Sequence, residues 1–339
     1  MVTRLFHLPL FAALLGGALA CGAGEGTHGG GENLPTTGIL PHVALEEPLL
    51  SEPGHDLRRP WVVETPEGIR MWIADRDVGS GETDHIQRHD SASGWSWSPE
   101  GTVALEAARE GWEAGSIDAP CVVRDGDAWR MYYTGGDGAG IGLATSDDGK
   151  RWVRHADNPV LSPAQAWESE GGVTHASVLP DDDGWVMWYA GGEGAGIGRA
   201  TSEDGVSWQR TQEAPVFTPS GSEGDTLWDR DAVLHATITR RVTATGRELF
   251  QMWYGGARLN AANALDLSIG YAGSFDGIHW ERFKLAPVLH EGGLGESEAF
   301  PISVDGHPAL LYTRYWKKEG VNRRVLALAF FGSVPVGDD

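Results

Sequence analysis

The 339-residue sequence predicts an all-β fold, a five-bladed β-propeller with four-stranded antiparallel blades, and three observations support this prediction. A turn phrase, S-x-D-G-x-x-W, occurs at residues 146–152, 202–208 and 274–280, with a degenerate copy at 91–97. Strand-like apolar runs precede each copy at matching offsets, and a proline phrase follows each complete copy. A repeat of roughly fifty residues or more, built from several short strands, is typical of propeller blades.

The strands of one blade can be read around the first complete copy of the phrase. Apolar runs at 119–123, 129–133 and 141–145 predict three strands, and a fourth begins at Trp152. Glycine-containing turns separate these runs. Equivalent runs predict strands in the other blades, at 69–73 in blade 1, 185–189 and 197–201 in blade 3, 250–254 in blade 4, and 309–312 and 325–328 in blade 5.

Blade 5 has no fourth strand at the C-terminal end of the sequence. Proline phrases at 158–161, 214–217 and 286–289 close the fourth strands of blades 2, 3 and 4, and a similar phrase stands at 47–50, before blade 1. We therefore expect the N-terminal strand to pair into blade 5 and close the ring, which leaves no open sheet edge.

The N-terminal residues predict export. Residues 1–20 combine Arg4 with an apolar run and small residues, as a secretory signal peptide does. Residues 18–21 resemble the bacterial lipoprotein box, which predicts lipidation of Cys21 and an exported protein that is lipid-anchored in the bacterial cell envelope, in the periplasm or at the cell surface. A flexible tether at 21–44, the propeller at 45–332 and a tail at 333–339 follow.

The composition limits the partners of the protein. Its formal net charge is −22, and removal of the signal peptide makes it about −23. Such a surface repels nucleic acid and anionic lipid. We expect membrane contact only through the lipid anchor, no nucleic-acid partner, and a monomer.

Strand parity separates the two faces of the predicted propeller. In an antiparallel blade, the start of strand 1 and the loop between strands 2 and 3 share one face, and the turns between strands 3 and 4 lie on the other. The turn acids Asp148, Asp204 and Asp276 are therefore expected to serve the backbone of their own turns. Alignment of the repeats places five residues at the starts of the inner strands, around the axis: Arg58, Asp118, Thr174, Asp231 and Glu298.

Three acids at one level around an axis predict a functional site, because their mutual repulsion must be offset or used. Aromatic residues lie on the same face, and aromatic rings beside carboxylates suit a carbohydrate partner. The candidate substrate-binding residues are Trp112, Trp167, His175, Trp228, Asp229, Arg58, Arg76, Arg258, Arg314 and Trp316. The alternative for each tryptophan is inter-blade packing, and the alternative for each loop arginine is an ordinary solvated charge.

The phrases at 131–135, 141–152 and 158–161, with their copies, resemble those of the five-bladed propeller glycosidases, which comprise glycoside hydrolase families 43 and 32 and the related family 130. The resemblance covers residues 45–332. It implies a central funnel in which Asp118 is the base or nucleophile, Asp231 the stabilising aspartate and Glu298 the proton donor.

The resemblance has one departure. These families take an aspartate from blade 1, where this chain has Arg58, with Asp56 two residues earlier on the same strand face. The resemblance implies no required cofactor, and the position of His175 next to the axis allows a structural calcium there.

The leading hypothesis from the sequence is a glycosidase-like protein that acts on a glycan by carboxylate acid–base chemistry. The alternative is a non-catalytic carbohydrate- or protein-binding propeller that lacks the blade-1 aspartate. A third hypothesis is a sialidase-like propeller, in which the turn phrases correspond to Asp-boxes. An arginine that fills the funnel and pairs the acids favours binding, whereas Asp56 or Asp118 beside Glu298 in an open funnel favours catalysis.

Overall fold

The computed structural model describes residues 43–77, 84–221, 227–260, 264–283, 286–290, 296–318 and 321–331. The predicted signal peptide, Cys21, nearly all of the tether and the C-terminal tail lie outside these residues, so export and lipidation stay predictions. Within the described part of the chain, no helix has the length and apolar character that a membrane span requires.

Blades 1 to 4 are antiparallel sheets of four strands that follow one another in sequence. Blade 1 contains β2 (His55–Thr65), β3 (Gly68–Asp77), β4 (His85–Ser91) and β5 (Thr102–Glu106). Blade 2 contains β6 (Ile117–Asp125), β7 (Ala128–Gly135), β8 (Gly140–Ser146) and β9 (Val153–Arg154). Blade 3 contains β10 (Val173–Asp181), β11 (Gly184–Gly191), β12 (Gly196–Ser202) and β13 (Gln209–Arg210). Blade 4 contains β14 (Ala232–Val242), β15 (Glu248–Leu259), β16 (Leu265–Ser274) and β17 (Glu281–Arg282). Three short 3-10 helices occupy connections, at Gly136–Gly138, Ala166–Glu168 and Gly192–Gly194.

Blade 5 combines strands from both ends of the described residues. Its sequential strands are β18 (Glu296–Val304), β19 (His307–Lys318) and β20 (Val321–Phe330), and the short strand β1 (Val43–Ala44) pairs antiparallel with β20. Farther along, Leu50 forms a bridge with Leu326 of β20, as Leu161 does with Ile141 of β8. The proline phrase at 47–50 therefore has the same relation to blade 5 as its copy at 158–161 has to blade 2.

The inner strands form a ring around the axis. They contact one another in the order β2, β6, β10, β14 and β18, and β18 in turn contacts β2. Each tryptophan of a complete turn phrase packs nearly perpendicular to an aromatic ring of the preceding blade, in the pairs Trp152–Trp72, Trp208–Tyr132 and Trp280–Trp188. This edge-to-face geometry is favourable for aromatic pairs. The structure thus confirms the five-bladed propeller, and these tryptophans connect its blades.

The complete turn phrases share one hydrogen-bonded structure. In blade 2, Ser146 Oγ accepts the N–H of Gly149, and Asp148 accepts the N–H groups of Arg151 and Lys150. These backbone donors lower the pKa of Asp148 to about 2. Equivalent bonds form in blades 3 and 4. The local, structural role predicted for the turn acids is confirmed.

Candidate functional site at the propeller axis

Every inner strand is interrupted near the axis by a β-bulge, where the strand register shifts. One residue in each bulge has a positive φ between 46° and 58°: Arg59, Ala119, His175, His235 and Glu298. A non-glycine residue pays about 1–2 kcal/mol for this left-handed conformation. Such strain persists where the surrounding structure holds it, and it concentrates at functional sites. The five bulges therefore define the candidate site.

The bulges also set the register of the repeats. Arg58, Asp118 and Thr174 each stand one residue before the left-handed position, as their predicted alignment requires. In blade 5, Glu298 occupies the left-handed position itself, whereas in blade 4 that position belongs to His235. Asp231 lies four residues earlier in the sequence.

Asp231 lies outside the axial cluster. It is exposed, its carboxylate accepts the N–H of Leu259, and it pairs with Arg230 at 3.1 Å. The structure thus brings Asp118 and Glu298 to the axis, together with His235 in place of Asp231.

Arginine side chains occupy the space between the two axial acids. Arg59 forms ion pairs with Asp118 through Nη1 and with Glu298 Oε1 through Nε, the latter at 3.3 Å. Arg58 Nη2 lies 3.2 Å from Asp118 Oδ2. The hydroxyl of Thr313 accepts the backbone N–H of Arg59, so this strained residue is held by blade 5. One guanidinium therefore bridges carboxylates that come from blades 2 and 5.

Two histidines complete the cluster. The rings of His175 and His235 stand 4.0 Å apart, and His235 Nε2 lies 3.5 Å from Glu298 Oε1. Burial lowers the pKa of His235 to about 4. Burial lowers the pKa of His175 well below its usual value, and the positive charge of His235, when that ring is protonated, lowers it further. Both imidazoles are therefore neutral at pH 7.

Glu298 and Arg59 stay charged at pH 7. Burial alone would raise the pKa of Glu298, but His235 and Arg59 lower it to about 2. Burial lowers the pKa of Arg59 to about 10, so this side chain is still a cation at pH 7. By formal charge, the two arginines and the two carboxylates of the cluster balance.

A small cavity lies on the axis, with a volume of about 30 Å³ and with Arg59, His175, His235 and Glu298 in its wall. This is room for a water-sized group, since a single water needs at least roughly 10–15 Å³. No hydrogen-bond partner among the described residues reaches either ring nitrogen of His175 or the Nδ1 of His235. Buried polar atoms without partners cost free energy, so these nitrogens are candidates for ligand contact.

Calcium does not fit this donor set. His175, His235 and Glu298 offer two nitrogens and one carboxylate oxygen within 4.8 Å of one another, whereas calcium takes six to eight oxygen ligands. Arg59 also holds the one carboxylate, and its positive charge opposes a divalent cation. The axial calcium that the position of His175 allowed is therefore not supported.

Asp56, Arg76 and Arg258 form their hydrogen bonds and ion pairs with residues outside the axial cluster. Asp56 accepts the backbone N–H of Arg324 in blade 5. Arg76 pairs with Asp84 at 2.6 Å, and Arg258 pairs with Asp266 at 3.2 Å.

Arg314 fastens the N-terminal segment to blade 5. Its guanidinium donates to the backbone carbonyls of Leu45 and Glu46 and lies over the ring of Trp316, with its central carbon 4.8 Å from the ring centroid. These contacts account for a structural role of Arg314 and Trp316.

The remaining predicted aromatic residues belong to a triad that repeats in three blades. Each triad has a buried carboxylate that accepts hydrogen bonds from a tyrosine and an arginine, in the sets Glu113–Tyr133–Arg154, Glu168–Tyr189–Arg210 and Asp229–Tyr254–Arg282. The tryptophan before each carboxylate packs on the tyrosine ring, in the pairs Trp112–Tyr133, Trp167–Tyr189 and Trp228–Tyr254. Asp229 and the three tryptophans thus have packing partners within the scaffold.

Sequence reasoning missed Arg59 and His235, although a signal for each exists. Arg59 follows Arg58 directly, and it occupies the left-handed position of the bulge in β2. His235 is followed by Ala236, as His175 is followed by Ala176, and this repeated dipeptide gives the correct register for blade 4.

No protein-family model matches the chain. Two curated relatives are uncharacterized proteins of Mycobacterium tuberculosis. MT1551 is 30% identical over 173 residues, which is 49% of this chain and 56% of the relative. Rv1502 is 25% identical over 223 residues, which is 61% of this chain and 64% of the relative. The chain therefore matches less than two thirds of the length of these relatives.

Solved structures of glycoside hydrolases have the same architecture. A structure of a BT0996 complex with RGII has a TM-score of 0.71 at 18% identity, with 89% of this protein and 94% of BT0996 covered. A thermostable family-43 glycoside hydrolase has a TM-score of 0.55 at 17% identity, with 80% and 93% covered. The α-L-arabinofuranosidase PaAbf62A from Podospora anserina, in complex with cellotriose, has a TM-score of 0.57 at 14% identity, with 84% and 94% covered. The protein thus has the five-bladed propeller fold that these glycoside hydrolases share.

Proposed function

We propose that the protein binds a neutral glycan at the axial cluster and does not cleave it by paired-carboxylate chemistry. The observation that carries this proposal is the position of Arg59, which pairs with both Asp118 and Glu298. An arginine that fills the funnel and pairs the acids is the arrangement that favours binding over catalysis. Arg59 forms both pairs, in the role that the sequence predicted for Arg58.

The acid–base requirements of a glycosidase argue against catalysis by this pair. A general acid is most effective when its pKa lies near the working pH. Glu298 has a pKa of about 2 against burial, because His235 and Arg59 favour its ionised form. It therefore carries no proton to donate to a leaving group at neutral pH. Asp118, the second carboxylate, is paired with both arginines.

The balance of charge and the free nitrogens favour a neutral, hydroxylated ligand. A neutral imidazole offers one N–H donor and one acceptor nitrogen, and a hydroxyl group can satisfy both kinds of atom. His175 and His235 have three such nitrogens without partners among the described residues. The cavity of about 30 Å³ admits a hydroxyl group, so the sugar ring itself would lie at the mouth.

The fold gives independent support, since the axis of this propeller is the place where the related glycosidases are expected to hold their substrates. One solved neighbour is a complex with cellotriose, an oligosaccharide without charge. These similar structures support a carbohydrate as the chemical class of the ligand.

The test combines a binding and a hydrolysis measurement on the whole protein. An array of neutral oligosaccharides would first select a probe, and calorimetric titration with that oligosaccharide would then compare variants. His175→Phe keeps a planar ring and removes both unpartnered nitrogens, so we expect folding to be preserved and affinity to fall at least tenfold. Asp231→Asn, outside the cluster, is the matched control and should bind as the unmodified protein does.

Hydrolysis is measured with aryl glycosides and polysaccharides by release of reducing sugar, and we expect none. Turnover that disappears in Glu298→Gln would contradict the proposal and support the glycosidase instead. Equal affinity of His175→Phe and the unmodified protein would place the glycan elsewhere.

A further inference from the structure

A second group of metal-ligating side chains lies in blade 1. Glu52 precedes the inner strand β2, His55 is its first residue, and Asp75 lies on the neighbouring strand β3. A carboxylate oxygen of Glu52, a ring nitrogen of His55 and a carboxylate oxygen of Asp75 lie within 4.8 Å of one another. None of these residues takes part in the axial cluster.

Asp75 is the most buried member of the group, with 1% of its surface exposed. Its oxygens lie 3.0 Å from His55 Nδ1, and its Oδ2 lies 3.1 Å from His85 Nε2. His85 stands directly opposite Asp75 on strand β4. Asp75 can therefore keep the hydrogen bond from His85 when His55 turns its nitrogen lone pair to a cation. Carboxylates that bind metals are usually oriented by such a second hydrogen bond.

Glu52 provides a second, independent observation. His89 is fully buried, and its Nδ1 donates to the carbonyl oxygen of Ser98 at 2.8 Å, because a carbonyl oxygen can only accept. Its other ring nitrogen, Nε2, faces Glu52 Oε1 at 4.0 Å. Neither atom has a hydrogen-bond partner among the described residues. A buried ring nitrogen and a buried carboxylate oxygen that face each other without such partners are candidates for contact with a cation.

The local charges are favourable for a cation. Glu52 and Asp75 bring two carboxylates to this group, and the arginine beside it, Arg323, bonds the backbone carbonyl of Glu52. At the axis, by contrast, Arg58 and Arg59 stand beside the carboxylates. Of the two histidine–carboxylate groups, the one in blade 1 is therefore the better cation site.

We propose that Glu52, His55 and Asp75 bind one divalent transition-metal ion, with His85 orienting Asp75. One imidazole and two carboxylates suit Zn²⁺ and similar ions better than calcium, which prefers oxygen ligands alone. Three protein ligands leave the fourth tetrahedral position of Zn²⁺ to water. The 4.8 Å spread must contract on binding, and Glu52 and His55 can move because their side chains are partly exposed.

The bound ion would connect the segment between blade 5 and β2 to strand β3 of blade 1. Residues up to Leu50 run along β20, and Glu52 and His55 connect them to β2. A metal at this junction therefore stabilises the folded propeller. This proposal is independent of glycan binding at the axis.

The experiment uses the full-length protein after treatment with EDTA and exhaustive dialysis. Titration with ZnCl₂ is followed by calorimetry, by metal content after gel filtration and by thermal melting. We expect one Zn²⁺ per protein molecule and a rise in Tm that grows with the Zn²⁺ concentration, because the ion binds the folded state. Ca²⁺ and Mg²⁺ at equal concentrations should produce neither effect.

Three variants test the ligands, and one tests the outer hydrogen bond. Glu52→Gln and His55→Gln change partly exposed residues and should fold, and each should weaken Zn²⁺ binding at least tenfold. Asp75→Asn should abolish it, and His85→Gln should weaken it about 10–100-fold, as loss of an outer hydrogen bond does. His279→Gln removes an exposed histidine that also faces an aspartate, Asp276, and serves as the matched control.

His235→Gln distinguishes the axial cluster from the blade-1 group. Binding that is lost in His235→Gln and kept in Glu52→Gln and His55→Gln would overturn the proposal. An unchanged Tm and no retained metal in the unmodified protein would overturn it as well.

Discussion

Two sets of buried carboxylates in this propeller differ in their relation to the repeat. Glu113, Glu168 and Asp229 each belong to a triad that repeats in blades 2, 3 and 4, and each accepts hydrogen bonds from a tyrosine and an arginine. Asp118 and Glu298 at the axis occur once each and share Arg59 from a third blade. The first set follows the repeat and serves the scaffold, whereas the second departs from the repeat.

The difference between the two sets indicates which carboxylates stabilise the fold and which lie where a ligand can bind. Glu168 accepts five hydrogen bonds, from Tyr189, Arg210 and the backbone N–H groups of Ala164 and Gln165. Near Glu298, by contrast, the imidazole nitrogens of His175 have no partner among the described residues. A satisfied network stabilises the fold, and a network with open donors and acceptors is available to a ligand.

The largest effect is expected when a satisfied triad is broken. Glu168→Ala leaves Arg210, the Tyr189 hydroxyl and two backbone N–H groups without their acceptor. Removal of one partner from a buried ion pair costs about 3–5 kcal/mol, and we expect the free energy of unfolding to fall by that amount. Urea denaturation measures it.

Glu170→Ala, two residues away and exposed, is the control and should change stability by less than about 0.5 kcal/mol. A loss below about 1 kcal/mol in Glu168→Ala would mean that the triad is not what stabilises this blade.

The axial cluster should make the stability of the folded protein depend on pH. The pKa of His235 is about 4 in the folded protein, below the value of about 6.5 in an unfolded chain. The unfolded state therefore binds more protons between these values, and stability falls as the pH is lowered from about 6.5 to 4. His235 should account for about 2 kcal/mol of that loss between pH 7 and pH 5.

His235→Gln should remove this part of the pH dependence in urea denaturation at a series of pH values. His279→Gln, whose side chain is 87% exposed, is the control and should keep the dependence of the unmodified protein. Identical pH profiles for His235→Gln and the unmodified protein would contradict a buried, neutral His235.

The smallest effect is expected in the turn phrases, which contain exposed carboxylates. Asp204 accepts the N–H groups of Val206 and Ser207, and these bonds hold its pKa well below the usual value. Asp204→Ala should lower the free energy of unfolding by about 1 kcal/mol, the scale of a lost turn hydrogen bond. Thermal melting of Asp204→Ala beside Glu203→Ala, its exposed neighbour, measures the difference. A larger loss than in Glu168→Ala would reverse the ranking of the two regions.

The repeated phrases predicted most of the architecture. They are local, since the Ser–Asp–Gly turn forms within seven residues and the apolar runs next to it pair with their sequence neighbours. The number of blades, the strand order and the local role of the turn acids could be predicted for that reason. The packing of Trp112, Trp167 and Trp228 on tyrosines could not, because a tryptophan before a strand reads the same whether it faces a ligand or its own blade.

The axial register was harder to predict than the blades. Alignment from sequence placed Asp231 at the axis, and the structure places His235 there, because the bulge of β14 starts later than the alignment assumed. A left-handed backbone residue leaves no composition signal when the residue is not glycine. Arg59 was missed for the same reason.

The sequence by itself determined a five-bladed propeller and the face on which inner-strand residues gather, because turn chemistry and strand alternation act over a few residues. Only the tertiary structure decided that Arg59 pairs with both Asp118 and Glu298, and that Glu52 and His55 come within ligand distance of Asp75. Asp118 and Glu298 lie 180 residues apart in the sequence, and Asp75 lies on a different strand from His55. Coulomb interactions and burial depend on distance in space, which the closure of the ring sets.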